Sequence, residues 1–256
     1  MKKVVAYTGT RNLYPHMVTA AKSLIANSTV DEVWFFIEDD EFPYKVPDII
    51  HTKNVANYDK FEKNGPNWKT VFTPLVLTRA CYCSLLPDAD VVLQLDVDTV
   101  CVDNIDALWD IDLGYNWAAM VRETQKIYRP FGGDMDPEHK YWNAGVCLQN
   151  LKKMREENAE WKMVDYLNHH YARYVDQDAL NYLGHFAIAD LPLRYNEAIC
   201  NGYTTNPAII HYAGSKYWMN EDCTDMARLE YLLPYRNMSW KGALKKHENL
   251  ISRSDL

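Results

Sequence analysis

The sequence predicts an α/β fold in one large domain with a Rossmann-like sheet at its centre. Three observations predict it. The chain is 256 residues long and 48% hydrophobic, enough to fill a sizeable core. Short apolar runs alternate with stretches of helical periodicity, without low complexity or an internal repeat. The run Val91-Val92-Leu93-Gln94-Leu95 ends in Asp96-Val97-Asp98. Such a buried strand delivers its last residues to the carboxyl edge of a sheet, where open α/β proteins bind ligands.

Taken in order, Met1 to Tyr7 reads as a first strand and not as a secretory signal, because Thr8-Gly9-Thr10-Arg11-Asn12 breaks the apolar run too early. Met17, Ala20, Ala21, Leu24 and Ser28 share one helical face, and Val33 to Ile37 form a second strand stopped by Glu38-Asp39-Asp40. A helix is expected from Pro74 to Leu86, with Thr73 as its cap, Pro74 at its first position and Pro87 as its stop. The Asp-x-Asp strand follows, completing the strand-helix-strand-helix-strand half of a doubly wound, mononucleotide-binding sheet. Arg122 to Tyr141, with Gly132-Gly133-Asp134 and two prolines, reads as a mobile loop. Beyond it come a strand over Asn143 to Leu148, one long helix from Leu151 to about His169, and a short strand, Ala208 to His211, that ends in a histidine.

A net charge of −8 argues against nucleic acid or an anionic membrane as the main partner, since both require a basic surface. No apolar stretch approaches the roughly 20 residues of a membrane span. The six cysteines lack paired metal-ligand spacing beyond Cys81-x-Cys83 and read as buried thiols of a cytoplasmic protein. Residues i and i+2 of an extended chain point to the same side, so Asp96 and Asp98 can converge on a divalent cation. The alternative is that they cap the following turn, but adjacent buried carboxylates are costly without a cation.

These residues resemble glycosyltransferase family 8, the family of glycogenin and bacterial lipopolysaccharide galactosyl- and glucosyltransferases. The resemblance covers most of residues 4 to 222. Its landmarks fall in the family's order: the Thr8 to Tyr14 loop, Arg79, Asp96-Val97-Asp98, Asn143-Ala144-Gly145, Asp176-Gln177-Asp178, Tyr195-Asn196, and His211 to Trp218. It implies a GT-A fold with a mixed sheet, Mn²⁺ (or Mg²⁺), a UDP-hexose donor carrying glucose or galactose, and retention of anomeric configuration. By that resemblance, Asp96, Asp98 and His211 hold the cation together with the donor diphosphate. Thr8, Thr10, Asn12 and Tyr14 would hold the uracil, Arg79 the diphosphate or donor sugar, and Lys216 the leaving phosphate. Val97, Asn143, Ala144, Gly145 and Gly214 complete the donor site. Asp176 and Gln177 face the sugar, and because a neutral amide is a poor nucleophile, front-face transfer is favoured over double displacement.

The pattern departs from the family in two places. Lys216 arrives one residue early with Tyr217 in place of proline, and Arg122-Glu123 stand where the family carries an aspartate. The structural alternatives are a surface ion pair for Arg79, a packing role for Asn143-Ala144-Gly145, and a helix N-terminal role for Asp178. Tyr141, Trp142, Tyr217 and Trp218 lie beside the motifs and could stack on sugar rings.

The expected organisation is one catalytic domain over 1–233, with a nucleotide-binding half to about residue 110 and an acceptor half beyond it, followed by a tail over 234–256. The acceptor would be a glycan, a lipid-linked saccharide or a protein. The tail carries Arg236, Lys241, Lys245, Lys246 and Arg253 against Glu248 and Asp255, which raises peripheral contact with the inner membrane face as an expectation. Two other classes stay open: a non-catalytic UDP-sugar-binding protein on the same fold, and a haloacid-dehalogenase-like phosphatase, whose first motif also fits Leu95 to Val100.

Overall fold

Nine strands and five α-helices appear among the residues described by the computed structural model, which are 1–124, 140–198 and 200–214. The chain opens with β1 (Val4–Thr8), α1 (Tyr14–Asn27), β2 (Glu32–Ile37) and β3 (Ile50–Asn54). A 3-10 segment, Pro74–Cys81, leads into the short α2 (Tyr82–Leu85), then β4 (Val91–Leu95), β5 (Thr99–Cys101) and β6 (Ala118–Arg122). Then come β7 (Trp142–Asn150), α3 (Leu151–Glu156), α4 (Ala159–His169), α5 (Asp176–Leu183), β8 (Ile188–Asp190) and β9 (Ile209–His211).

Seven strands form a mixed sheet in the order β3-β2-β1-β4-β7-β6-β8, in which β7 runs antiparallel to both its neighbours. β1 pairs in parallel with β2 on one side and β4 on the other. Chain order reverses there, so the carboxyl ends of β1 and β4 meet at a topological switch point. Thr8 and Asp96 both stand at that edge. The strands at the centre are buried on both faces, in keeping with the composition of Val91 to Leu95, apolar but for Gln94.

Three expectations need correction. Pro74 to Leu86 is not one α-helix: Thr73 has cap geometry without a side-chain bond, and residues 74–81 wind as a 3-10 helix. Thr78 Oγ1 donates to the Leu75 carbonyl at 2.6 Å, and β-branched Val76 and Thr78 weaken the α alternative further. Leu151 to His169 is two helices, broken where Asn158 takes a left-handed φ of 55°, a conformation that asparagine tolerates. Ser28 caps α1 in an extended conformation instead of riding its face. The sequence reading also passed over β3, β5, β6 and β8. Most of the expected mobile loop, 125–139, lies outside the described residues. So do Lys216, Tyr217, Trp218 and the 234–256 tail.

Candidate metal and donor-sugar site

Beyond β4 the chain closes a turn in which the Thr99 amide and hydroxyl both donate to the Asp96 carbonyl, at 3.2 and 2.7 Å. β5 then pairs antiparallel with β9, setting Thr99 opposite His211. The Tyr212 amide donates to the Asp98 carbonyl at 2.9 Å. This two-stranded clip brings residues 113 positions apart in sequence, from 98 to 211, to the same spot.

One ligand atom each from Asp96, Asp98 and His211 lie within 4.8 Å of one another. His211 Nε2 is 3.4 Å from Asp98 Oδ1 and 3.5 Å from Asp96 Oδ2. Nδ1 is 3.0 Å from Asn196 Oδ1, and Asn196 Nδ2 in turn donates to Asn143 Oδ1 at 3.0 Å. That outer bond aims Nε2 at the carboxylates, the usual support of a metal-ligating imidazole. Burial tends to lower the His211 pKa, but Asp98 and Asp96 outweigh it and raise it to about 9.

Gly145 explains how the imidazole fits. A Cβ at that position would lie 2.1 Å from His211 Cε1, so only glycine leaves the ring its place. The three-residue donor set, its outer support and this cradle fit a divalent cation.

The neighbouring wall comes from a break in the β7 ladder. Pairing with β6 jumps from Met120↔Cys147 to Val121↔Asn143, and pairing with β4 ends at Leu95↔Val146. The freed backbone groups turn to functional side chains, as at many irregular strands beside ligand sites. The Gly145 carbonyl accepts from the Asp96 amide at 2.8 Å. The Ala144 amide donates to Gln177 Oε1 at 2.9 Å, and its carbonyl accepts from Arg79 Nη2 at 3.2 Å.

Arg79 is no surface residue. Its Nη1 is 2.7 Å from Asp96 Oδ1 and its Nε is 3.0 Å from Asp176 Oδ2, so one buried guanidinium joins the two carboxylates. Burial pushes the Asp176 carboxyl up to about 6 against the opposing pull of Arg79. Asp176 opens α5 just after Val175, whose φ of 49° is strained for a β-branched residue. Gln177 Nε2 donates to the Tyr141 hydroxyl at 2.9 Å and lies 3.4 Å from Glu123 Oε1. Burial raises the Glu123 pKa, opposed by hydrogen bonds that include Asn143. Asp178 takes the helix-terminal role, accepting from the Tyr174 amide at 3.0 Å and bonded to the Tyr141 hydroxyl.

A cavity of about 270 Å³ opens among these groups, lined by Asp96, His211, Asp176, Gln177 and Glu123, with Phe72, Val76 and Tyr174 as an apolar wall. Gly214, at a φ of +86°, lies on its rim. Sequence reasoning did not select Phe72, Tyr174 or Cys200. None carries a motif, and folding alone brings them there.

The expected nucleotide loop is held by local hydrogen bonds. Thr8 Oγ1 is 3.1 Å from the Tyr82 hydroxyl, and Thr10 Oγ1 donates to Asn12 Oδ1 at 2.6 Å. A second cavity, about 190 Å³, is lined by Thr10, Glu38, Tyr58, Trp68 and Pro74. Tyr14 departs from expectation. It is fully buried, its hydroxyl donating to Asp39 Oδ2 at 2.9 Å and accepting from the Glu38 amide at 3.1 Å, so it braces the loop instead of presenting its ring. Val97 likewise packs its side chain against the core.

The family model for glycosyl transferase family 8 matches residues 4–222. General stress protein A of Bacillus subtilis is 24% identical over 183 residues, 60% of this chain and 64% of that protein. Lipopolysaccharide 1,2-glucosyltransferase of Escherichia coli is 29% identical over 188 residues, 62% of this chain and 55% of that protein. The matched region thus spans less than two thirds of either relative. Among solved structures, galactosyltransferase LgtC in complex with donor and acceptor sugar analogs superposes with a TM-score of 0.67 at 23% identity, covering 92% of this chain and 96% of that one. That likeness fixes the fold as GT-A.

Proposed function

The chain belongs to glycosyltransferase family 8, and from that premise we propose that it transfers glucose or galactose from UDP-hexose to a glycan, lipid-linked saccharide or protein acceptor, with retention of configuration. The observation that carries the reading is the shared cavity: Asp96 and His211, which cluster with the buried Asp98, line the same space as Asp176, Gln177 and Arg79. Asp96, Asp98 and His211 would hold the Mn²⁺, which supplies charge neutralisation for the donor diphosphate. The 190 Å³ cavity beside Thr10 suits the nucleoside end.

Arg79 holds Asp176 in place and adds positive charge near the diphosphate. Gln177 keeps its carbonyl on the Ala144 amide and is neutral, so it positions the sugar and steadies developing positive charge without forming a covalent bond. The acceptor hydroxyl then attacks on the face that UDP leaves, and the departing phosphate takes its proton. Glu123, on the cavity wall, is the carboxylate that answers to the family's aspartate. Lys216 is proposed for the leaving phosphate from its motif alone. The tail's contact with a membrane, and a cytoplasmic location, likewise rest on sequence. No helix among the described residues is long and apolar enough to cross a membrane.

A panel of UDP-sugars with Mn²⁺, read as UDP release, tests the reading without a known acceptor. Turnover of UDP-glucose or UDP-galactose that stops in EDTA is expected. No release from any donor refutes the transfer reading, and a β-linked product by proton NMR refutes retention.

A further inference from the structure

We propose that Gln94 and Gln149 are positioning residues for sugar transfer, a buried amide pair that holds the Ala144 peptide in place against Arg79 and Gln177. They lie on β4 and β7 and are 1% and 4% exposed. The register sets Gln94 opposite Cys147, which makes Gln149 its diagonal neighbour. Gln149 Nε2 donates to Gln94 Oε1 at 2.9 Å, and Gln94 Nε2 donates to the Ala144 carbonyl at 2.8 Å.

The Ala144 peptide needs this hold. It falls in the break of the β7 ladder, so no strand fixes it: its carbonyl rests on Gln94 and Arg79, and its amide on Gln177. Gln94 therefore touches the residue on whose amide Gln177 depends.

Stability does not call for amides here. Val92, Cys147 and Ala118 surround the pair with apolar side chains. Two buried polar groups replaced together by apolar groups of the same shape leave stability nearly unchanged. What an apolar pair cannot supply is direction. The amides fix where the Ala144 carbonyl points, and through the Ala144 amide, where Gln177 points.

The proposal rests on the transferase reading, so the test carries one readout that does not. The double variant Q94M/Q149M keeps length and approximate volume while removing the hydrogen bonds. It should fold with a Tm close to wild type and bind UDP-Mn²⁺ with unchanged affinity. The kcat for UDP-hexose hydrolysis should fall at least tenfold at unchanged KM, and amide exchange at Ala144 should speed up at least tenfold. A kcat within twofold of wild type in the folded double variant overturns the proposal. Should the double variant fail to fold, Q149M removes only the anchor of Gln94 and decides by the same kcat comparison. Should wild-type protein release no UDP, the transferase reading falls instead, and an Ala144 exchange rate within twofold of wild type in the Met variant overturns the pair's role on its own.

Discussion

Gly145→Ala perturbs the metal site by a single methyl group. The new Cβ would stand 2.1 Å from His211 Cε1, 2.5 Å from Nδ1 and 2.8 Å from Nε2. Ordinary contact begins near 3.4 Å, so the imidazole must retreat by more than about 1 Å. It has little room, because the ring is 2% exposed and is held by Asn196 on one side and faces Asp96 and Asp98 on the other. Overpacking of this kind costs about 1–3 kcal/mol. Lower unfolded-state entropy of alanine returns about 0.4–1 kcal/mol, because the backbone at 145 lies outside the left-handed region. A net loss of about 1–2 kcal/mol should appear in urea unfolding of the metal-free protein. Displacing one of three protein ligands should also weaken Mn²⁺ by at least about tenfold, or 1.4 kcal/mol, in a calorimetric titration with UDP present. An affinity within twofold of wild type would show that His211 is no ligand, or that the clip holding it is far looser than its geometry implies.

Protons should compete with the metal. With its folded value raised to about 9 from an ordinary 6.5, His211 stabilises the metal-free fold fully below about pH 6.5 and loses that contribution as pH rises through about 9. The bound cation requires neutral imidazole, so Mn²⁺ affinity should climb up to about tenfold per pH unit from about 7 to 9 and then level off; a flat profile by calorimetry removes His211 from the ligand set. Arg79→Met strands Asp96 and Asp176 beside an apolar side chain and should cost roughly 3–5 kcal/mol in urea unfolding, whereas a loss under about 1 kcal/mol would mean solvent screens these pairs. Gln177→Ala should lower turnover at least about tenfold with little change in UDP affinity, and unchanged turnover takes Gln177 out of the site.

The Asp-x-Asp edge was legible because burial writes itself into composition: Val91 to Leu95 is apolar but for Gln94, and the run stops at two aspartates. Tyr14 was not legible. A tyrosine in a ligand-edge loop reads as a contact, and only the fold shows that Asp39 and the Glu38 amide already engage its hydroxyl. The helix errors share a cause, since Thr78 and Asn158 act through local hydrogen bonding and a left-handed backbone, neither of which disturbs hydrophobic periodicity. Gln94 carried a signal that went unread: it is the single polar residue within a fully buried strand, where an amide persists only with partners.

Asn143, Ala144 and Gly145 show why a short motif can be demanding in every position. Asn143 must offer an oxygen to Asn196 and so, one bond further, orient His211. Ala144 acts through its backbone, its amide donating to Gln177 and its carbonyl accepting from Arg79. Gly145 must lack a Cβ because His211 occupies that volume, while its carbonyl holds the Asp96 amide. All three depend on the same lapse in strand pairing, which releases backbone groups that a regular ladder would consume. The irregularity therefore couples the histidine, the aspartate turn and the Gln177 amide. A substitution that restored regular pairing across 143–146 would improve the sheet and take the site apart.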